Sequence, residues 1–288
     1  MGDAHDVTDE TSGFEEITIG DSRDGFRIAP RRGGIVTALW LHGEPLLYLD
    51  RATFNDPGAS VRGGIPVLFP ICGPLREGRA RLGEAEIALK QHGFARSLPW
   101  REVERGEHHI TLALADSPET RASWPFAFEV RCTYRLTQGA LRIEHAVENR
   151  SSAEMPFSFG FHPYFATPDK QALLFHIPAR HAAENPFGEP QAFTGLEPAG
   201  NTIDLTFTDA TEPRASFDDR ATGRRITVSA CPEYRYLVFW TLADRPFCCL
   251  EPWTARGDAL NTGHDLMRLA PGETRALRME ISVDRIDA

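Results

Sequence analysis

Residues 126–147 read FAFEVRCTYRLTQGALRIEHAV, and their pattern of apolar and polar side chains is the main evidence for the fold class. Apolar side chains alternate with mostly polar ones over Phe126–Leu136 and again over Leu141–Val147, on either side of Gln138-Gly139. A period of two places alternate side chains on opposite faces of a strand, and a short turn containing glycine joins two such strands into a β-hairpin. The stretch therefore predicts two antiparallel strands with one buried face.

The rest of the chain repeats this alternation and leaves little room for helices. Ile35–Leu41 and Leu277–Val283 alternate in the same way, while 24 glycines and 21 prolines interrupt longer helical periods. Neither an internal repeat nor a low-complexity linker divides the chain. We therefore predict an all-β fold, one large antiparallel β-sandwich or wide barrel over residues 15–288, preceded by a short disordered tail at residues 1–14.

The composition limits the classes of partner. The 288 residues include 31 basic and 41 acidic side chains, which give a formal net charge of -10. An acidic protein repels phosphate backbones, so we expect no nucleic-acid partner, although a local arginine cluster can still bind a small anion. No apolar run approaches the ~20 residues that a membrane-spanning helix needs, so we expect no membrane partner.

The cysteines indicate neither a disulfide framework nor a metal centre. Their number, five, is odd, and no CxxC pair is present, which argues against disulfide staples and against a zinc site. The simplest interpretation is buried, reduced thiols in a cytoplasmic protein. The cysteines are Cys72, Cys132, Cys231, Cys248 and Cys249.

Four segments depart from the strand pattern because they place polar side chains among aromatic rings, glycines and prolines. They are VRGGIPVLFP at 61–70, QHGFAR at 91–96, FSFGFHPYF at 157–165 and LEPW at 250–253. No glycine-rich nucleotide-binding motif accompanies them. Aromatic rings beside polar groups suit a cleft for a sugar, since a pyranose ring has an apolar body and polar edges.

His162 and Glu251 are the side chains in these segments best suited to proton transfer. His162 lies in a nearly continuous aromatic run, and an apolar setting lowers the pKa of a histidine towards or below neutrality. Glu251 follows the apolar stretch Phe247–Leu250, where desolvation raises the pKa of a carboxyl group. The two could serve as acid and base at cellular pH, beside the flat indole surface of Trp253.

Each of these residues, taken alone, is also compatible with a structural role. A lone histidine among aromatic residues is more often a core histidine, and a lone glutamate after a strand is more often a solvated strand end. His92 could be a turn residue, while Arg62 and Arg96 could be surface charges or ion-pair partners. The residues point to sugar chemistry only as a set.

As a set, the segments resemble the aldose 1-epimerase (mutarotase) superfamily, including its branch of hexose-6-phosphate epimerases. The resemblance rests on GGIPVLFP, QHGFAR, FSFGFHPYF and FCCLEPW, in that order, and extends more loosely from residue 15 to the C-terminus. It implies a galactose mutarotase-like fold, the large antiparallel β-sandwich called a supersandwich, with a sugar cleft on one face. It also implies an isomerase that interconverts the α and β anomers of an aldose. This chemistry requires neither a metal nor an organic cofactor, and we expect none.

The resemblance also implies roles for individual residues. His162 matches the general acid of the family, and Glu251 matches its general base. His92 matches a second histidine that binds the sugar near its ring, and Arg62 matches a substrate-binding arginine. Arg96 matches a position that helps to hold the 6-phosphate in the phosphate-specific branch.

Two departures from the family pattern leave the substrate open. Family members often carry a basic residue shortly after the first segment, whereas this chain has Gly73-Pro74-Leu75, which slightly favours a free aldose over an aldose 6-phosphate. The classical mutarotases also carry an aspartate before the catalytic glutamate. None of the candidates lies in a motif that matches: Asp204, Asp209, Asp218 and Asp219.

Two other functions also fit a large β-sandwich with an aromatic cleft. A sugar-binding module would need the aromatic rings without the acid–base pair, and a glycoside-processing enzyme would use two carboxylates. Among the carboxylates only Glu251 lies in an aromatic-rich segment, so anomer interconversion is the preferred hypothesis. The expected partner is a small sugar or sugar phosphate, and the protein is expected to be a monomer or a homodimer.

Overall fold

The structure, a computed structural model, describes residues 13–286, and strands dominate it. The strands are β1 (Ile17–Gly20), β2 (Gly25–Ala29), β3 (Ile35–Leu41), β4 (Glu44–Pro45), β5 (Val67–Leu68), β6 (Arg79–Leu82), β7 (Ala85–Ala88), β8 (Arg101–Arg105), β9 (His109–Ala115), β10 (Phe128–Thr137), β11 (Ala140–Asn149), β12 (Met155–Phe157), β13 (Gly160–Phe161), β14 (Tyr164–Ala166), β15 (Leu173–His176), β16 (His181–Glu184), β17 (Gln191–Ala192), β18 (Ile203–Phe207), β19 (Arg214–Asp219), β20 (Arg224–Ala230), β21 (Tyr236–Thr241), β22 (Phe247–Trp253), β23 (Met267–Leu269) and β24 (Thr274–Arg285). The helices are α1 (Arg51–Asn55), α2 (Pro118–Ser123) and α3 (Ala259–Thr262), with 3-10 turns at Arg76–Gly78, Ala95–Ser97 and Lys170–Ala172.

The hairpin predicted from residues 126–147 is present as β10 and β11. The two strands pair antiparallel with Leu136 opposite Leu141, so the turn falls at Gln138-Gly139 as the sequence indicates. The hairpin lies inside an eight-stranded sheet of order β15-β19-β20-β24-β11-β10-β9-β8. Strand β24 contains the alternating stretch Leu277–Val283, whose apolar side chains join the core.

A second eight-stranded sheet carries most of the polar segments. Its order is β17-β16-β18-β21-β22-β13-β5, and β14 also pairs with β22. Side chains from both large sheets meet in one hydrophobic core, for example Ile143 of β11 and Leu250 of β22. Two antiparallel sheets that share a core form a β-sandwich, which confirms the predicted fold class.

Strand β22 is buried on both faces, which explains why its sequence begins as a continuous apolar run. Successive side chains of a strand point to opposite faces, so Cys248 and Leu250 join the core between the sheets, while Phe247 and Cys249 lie in a separate apolar cluster. Glu251 has the same parity as Phe247 and Cys249. The alternation therefore directs its carboxylate away from the core between the sheets, although the whole strand is buried.

The helices are short, and α1 and α2 begin at side-chain caps rather than in a stretch with a helical period. The Ser117 side chain accepts from the backbone of Thr120 at the start of α2, and Asp50 caps α1 in the same manner. Caps of this kind are local hydrogen bonds, so the alternating pattern of the chain gives no signal for them. Within residues 13–286, no helix combines the length and the hydrophobicity that a membrane crossing requires.

The described residues begin inside the predicted tail, at residues 13 and 14. Residues 1–12 of the predicted tail lie outside the described residues. Phe14, which belongs to that predicted tail, instead packs edge-on against Phe54 of α1, with ring centroids 5.9 Å apart. Aromatic rings are stabilised by such burial, and the packed structure therefore begins before residue 15.

Candidate active site

A cleft on the second sheet collects side chains from all four polar segments. Its volume of about 460 Å³ is suited to a small molecule. The residues predicted from the sequence all line it: Arg62, His92, Arg96, His162, Glu251 and Trp253. Its walls also include Tyr164, Asn185, Asp204, Val238 and Trp240.

His162 and Glu251 meet inside this cleft. His162 follows β13, where its backbone N–H donates to the carbonyl oxygen of Pro66, and Glu251 lies on the neighbouring β22. Nε2 of the imidazole lies 3.4 Å from Oε1 of the carboxyl group, and the two side chains are only 8% and 1% exposed. Catalytic contacts of this length often shorten when a substrate binds, so the geometry is compatible with an acid–base pair.

Aromatic packing fixes the imidazole of His162. The ring of Tyr164 stacks on it with centroids 4.6 Å apart and planes inclined by 12°, and Trp240 meets it edge-on at 5.6 Å. Nδ1 is buried without a hydrogen-bond partner among the described residues. Packing rather than hydrogen bonding therefore holds the ring, and Nε2 is the nitrogen next to Glu251.

Burial moves the pKa values of the pair in opposite directions. Burial raises the pKa of Glu251 well above its ordinary value, and the negative charge of Asp204 adds to this effect, while the indole of Trp253 and the guanidinium of Arg96 oppose it. Burial lowers the pKa of His162 to about 3, and the positive charge of Arg96 acts in the same direction. Both shifts have the direction that the sequence predicts.

As a result, His162 and Glu251 together hold one proton between the lowered pKa of the imidazole and the raised pKa of the carboxyl group. The proton rests mainly on the carboxyl group of Glu251, because burial disfavours both charged forms. The imidazolium–carboxylate form is the minor state. Transfer of that proton across the 3.4 Å between Oε1 and Nε2 reaches the minor state without changing the charge of the pair.

His92 is both a turn residue and a cleft residue. Its φ of 69° lies in the left-handed region, and Gly93 follows with a φ of 69° at a place where a Cβ atom would lie 2.3 Å from the carbonyl oxygen of Phe69. Its Nδ1 accepts a hydrogen bond of 3.1 Å from the backbone N–H of Gly73. Burial lowers its pKa well below the ordinary value, so the ring is neutral, carries its proton on Nε2 and can donate to a ligand.

The two arginines of the cleft differ in their surroundings. Arg96 is half-buried and donates to the carbonyl oxygen of Gln91 at 3.0 Å. Arg62 is exposed, and its guanidinium carbon lies 5.5 Å from the centre of the Trp240 ring. A guanidinium has five N–H donors, so these contacts leave each arginine with donors for a ligand.

Asp204 is the cleft residue that sequence reasoning left unassigned. It lies on β18, opposite Trp240 of β21. Its Oδ1 accepts a hydrogen bond of 2.6 Å from Nδ2 of Asn185, whose Oδ1 in turn accepts from the hydroxyl of Thr206 at 2.6 Å. This chain of bonds fixes the carboxyl group of Asp204 and leaves Oδ2 for a ligand.

The other candidate aspartates lie elsewhere in the fold. Asp209 binds the backbone and ring of His181, and Asp218 forms bonds with Arg225 and His176. Asp219 accepts from the backbone N–H of Ala221 in the turn after β19. Asp204 reaches the cleft because β18 pairs with β21, and no local motif in the sequence encodes that pairing.

Cys249 lies next to the pair. Its sulfur, a nitrogen of His162 and an oxygen of Glu251 lie within 4.8 Å of one another. The thiolate is the form that binds metal ions, but burial raises the pKa of Cys249 well above its ordinary value, so the thiol is held neutral. We therefore interpret the three residues as a proton-carrying pair beside a neutral thiol.

Solved structures share this architecture. The chain superposes on the Slr1438 protein from Synechocystis sp. PCC 6803 with a TM-score of 0.91 and 38% identity, over 94% of this chain and 96% of that one. It superposes on a galactose mutarotase related enzyme from Lactobacillus acidophilus with a TM-score of 0.80 and 20% identity, over 95% of this chain and 100% of that one. The fold is therefore the galactose mutarotase-like β-sandwich.

The family follows from the sequence. The family model described as aldose 1-epimerase matches residues 15–282, and the chain belongs to that family. A stretch of 173 residues is also 30% identical to a protein from Cenchrus ciliaris that carries the provisional name glucose-6-phosphate 1-epimerase. That stretch covers 55% of this chain and 49% of the relative.

Proposed function

We propose that this protein catalyses the interconversion of the α and β anomers of an aldose, with Glu251 as general base and His162 as general acid. The observation that carries the proposal is the 3.4 Å approach of Nε2 to Oε1 inside an aromatic-lined cleft. A module that only binds sugar has no need of a buried acid–base pair, whose desolvation disfavours both charged forms. Membership of the aldose 1-epimerase family supports the same reaction.

The reaction needs one proton removed and one proton delivered. Glu251 takes the proton of the anomeric hydroxyl as the C1–O1 bond becomes a carbonyl, the bond between C1 and the ring oxygen breaks, and His162 gives its proton to that oxygen. Rotation about C1–C2 and closure on the other face reverse both transfers. Each well-placed acid or base contributes about 10²–10⁴ in rate.

The single proton held by His162 and Glu251 is the number that this reaction requires. The reactive form is imidazolium with carboxylate, which has the same charge as the dominant form. Ring opening moves one proton onto Glu251 and one off His162, and ring closure restores both, so a turnover needs no proton from solvent. His92 can donate from Nε2 to the ring oxygen or a neighbouring hydroxyl, and Trp240 offers a flat wall for the sugar ring.

The slightly preferred substrate in this proposal is a free aldose. Pro74 lines the cleft at the position where relatives often carry a basic residue, so this wall offers no charge to a phosphate. Arg62 and Arg96 line the same cleft, and bidentate contacts from them could hold a 6-phosphate. The alternative substrate is therefore an aldose 6-phosphate, which is also the substrate in the name of the Cenchrus ciliaris relative.

Anomer exchange measured by NMR saturation transfer distinguishes these substrates. Glucose, galactose and glucose 6-phosphate are each equilibrated with the protein, and exchange between the α and β resonances is measured against a protein-free control. Enhanced exchange of a free hexose supports the proposal, and exchange confined to the phosphate assigns the arginines to that group. A folded protein that accelerates none of the three contradicts the proposal for hexoses.

Glycoside cleavage is a second candidate, because the structure adds a second carboxyl group to the cleft. Asp204 lines the same cleft as Glu251, and glycosidases commonly use two carboxylates. Oδ1 of Asp204 is already held by Asn185, which suits a residue that binds a hydroxyl. Release of nitrophenol from nitrophenyl hexosides, absent in a Glu251→Gln variant, would favour glycoside cleavage over anomer exchange.

The thiols support a cytoplasmic location as part of the proposal. Four of the five cysteines are buried and all five are free within the structure. Reduced, unpaired thiols are typical of proteins in a reducing compartment.

A further inference from the structure

Trp253 makes a contact with Glu251 that a sugar platform does not need. Its indole Nε1–H donates a hydrogen bond of 3.1 Å to Oε2 of the carboxyl group. The two residues are separated by one position on β22, so their side chains leave the strand on the same face. Trp253 is 4% exposed and Glu251 is 1% exposed, so water competes little for this bond.

The bond makes the two carboxyl oxygens of Glu251 inequivalent. Oε2 is engaged by the indole, while Oε1 lies 3.4 Å from Nε2 of His162. A carboxyl group can rotate about its last side-chain bond, and a fixed donor on one oxygen stops that rotation. Oε1 is then the oxygen that remains to accept the anomeric proton.

The indole is itself held in a slot that glycines make possible. A Cβ atom on Gly160 would lie 2.9 Å from Cδ1 of Trp253, and one on Gly73 would lie 3.3 Å from Cζ3. The ring of His92 meets the indole edge-on at 5.5 Å. Both glycines lie in or beside the segments that form the cleft, and a larger residue at either position would crowd the indole ring.

We propose that Trp253 is a positioning residue for the general base: its indole N–H fixes Oε2 of Glu251 and selects Oε1 as the oxygen that takes the anomeric proton. The proposal rests on the acid–base function of Glu251 given above. It adds a role that is separate from sugar stacking, because the donor is the indole nitrogen and not the face of the ring.

The hydrogen bond from Trp253 also affects which of the two residues, His162 or Glu251, carries their shared proton. A donor to a carboxylate stabilises its ionised form, and the indole lowers the pKa of Glu251 against the effect of burial. Trp253 therefore raises the population of the imidazolium–carboxylate form that the reaction uses. Without the bond, the shared proton stays more firmly on Glu251.

Two substitutions separate the donor from the ring. Trp253→Phe keeps an aromatic surface and removes the N–H, and we expect kcat to fall about 10- to 100-fold with KM nearly unchanged, since a bond to a charged group is lost. The alkaline limb of the pH profile should move to higher pH. Trp253→Gln keeps an N–H donor and removes the ring, and it should raise KM while retaining more of kcat than the phenylalanine variant.

Trp240→Phe is the matched control for a change in the aromatic wall. Trp240 lines the cleft and contacts His162, but its ring makes no hydrogen bond to Glu251 in the described structure. Because the bond from Trp253 to Glu251 stays intact, this variant should change KM without the shift of the alkaline limb to higher pH that is expected for Trp253→Phe. A Trp253→Phe enzyme with wild-type kcat and an unmoved alkaline limb would overturn the inference, provided that its thermal unfolding matches the wild type.

A spectroscopic reading keeps the inference separate from the proposed activity. In a ¹H–¹⁵N spectrum, the indole N–H resonance that is missing from Trp253→Phe should shift as Glu251 titrates, and it should not shift with pH in Glu251→Gln. A wild-type indole resonance that does not shift while Glu251 titrates contradicts the hydrogen bond. If the resonance titrates but no anomer exchange occurs, the proposed function fails and the positioning of Glu251 stands.

Discussion

Two histidines of this protein have nearly the same local environment and different places in the fold. As whole residues, His162 and His145 are 6% and 3% exposed, and each stacks on an aromatic ring, Tyr164 at 4.6 Å and Phe159 at 4.5 Å. Burial lowers the pKa of each to about 3, and each has an Nδ1 without a partner among the described residues. Burial, stacking and a shifted pKa therefore do not distinguish them.

The partner of Nε2 distinguishes them. Nε2 of His145 lies 2.8 Å from the hydroxyl of Tyr234, which is buried in the core and is a neutral group. Nε2 of His162 faces Glu251 in a cleft that a ligand can enter. The charged partner, rather than burial, stacking or the lowered pKa, is therefore the feature that marks His162 as the candidate acid.

The largest expected effect comes from removing that charged partner. Glu251→Gln keeps the volume of the side chain and removes its basicity, and we expect kcat for anomer exchange to fall by about 10²–10⁴. The raised pKa of the folded carboxyl group means that Glu251 reduces stability as pH rises above 4.5, so the variant should be at least as stable as the wild type at pH 7. Exchange spectroscopy and thermal unfolding on the same samples test both statements.

Substitution of the two histidines should separate activity from stability. His162→Asn should lose about 10²–10⁴ in kcat, because the acid is removed. His145→Leu should keep the kcat of the wild type. Its free energy of unfolding should fall by about 1–3 kcal/mol, because the buried hydroxyl of Tyr234 is left without a partner.

A matched double variant checks the structural half of this comparison. Adding Tyr234→Phe to His145→Leu removes the unpaired hydroxyl and should recover part of the lost unfolding free energy. If His145→Leu instead lowers kcat as much as His162→Asn at equal stability, the distinction between the two histidines is wrong.

The pH dependence of activity should reflect the pair rather than an ordinary histidine. At low pH the pair gains a second proton, near the His162 pKa of about 3. Glu251 is then protonated whenever His162 is, so no carboxylate remains to act as the base and activity should fall. It should fall at high pH when the pair loses its last proton, at the raised pKa of Glu251. A single acid limb near pH 6.5 would contradict this assignment.

The two histidines should contribute similarly to the pH dependence of the free energy of unfolding. Each has a folded pKa of about 3 against an ordinary value of 6.5, so the unfolded chain binds more protons between these values. Stability should therefore fall as pH falls from 6.5 towards 3, and removal of either histidine should reduce this slope by a similar amount. Denaturant unfolding of the variants at several pH values measures it.

The smallest effect concerns Asp204. Its negative charge raises the pKa of Glu251, so Asp204→Asn should move the alkaline limb of the activity profile to lower pH, opposite to the shift expected for Trp253→Phe. KM should also rise, because Oδ2 no longer accepts a hydrogen bond as a charged group. A limb that moves to higher pH would contradict the electrostatic role of Asp204.

The sequence predicts the sheets and the pair but not the whole cleft. The period of two fixes the hairpin at Gln138-Gly139, and the apolar run before Glu251 indicates a buried carboxyl group. Asp204 could not be assigned, because its position in the cleft depends on the pairing of β18 with β21 rather than on its neighbours in the chain. The bond from Trp253 to Glu251 likewise depends on a rotamer that only the packed slot determines.

The carboxylate partner of His162 distinguishes it from His145, and only His162 is proposed to take part in anomer exchange. The most direct test measures anomer exchange of glucose and galactose at pH 7 by NMR saturation transfer, with the wild type, His162→Asn and His145→Leu at equal concentrations of folded protein. We predict enhanced exchange with the wild type and with His145→Leu, and exchange close to the protein-free rate with His162→Asn. Equal exchange by the wild type and His162→Asn would show that His162 is not the general acid.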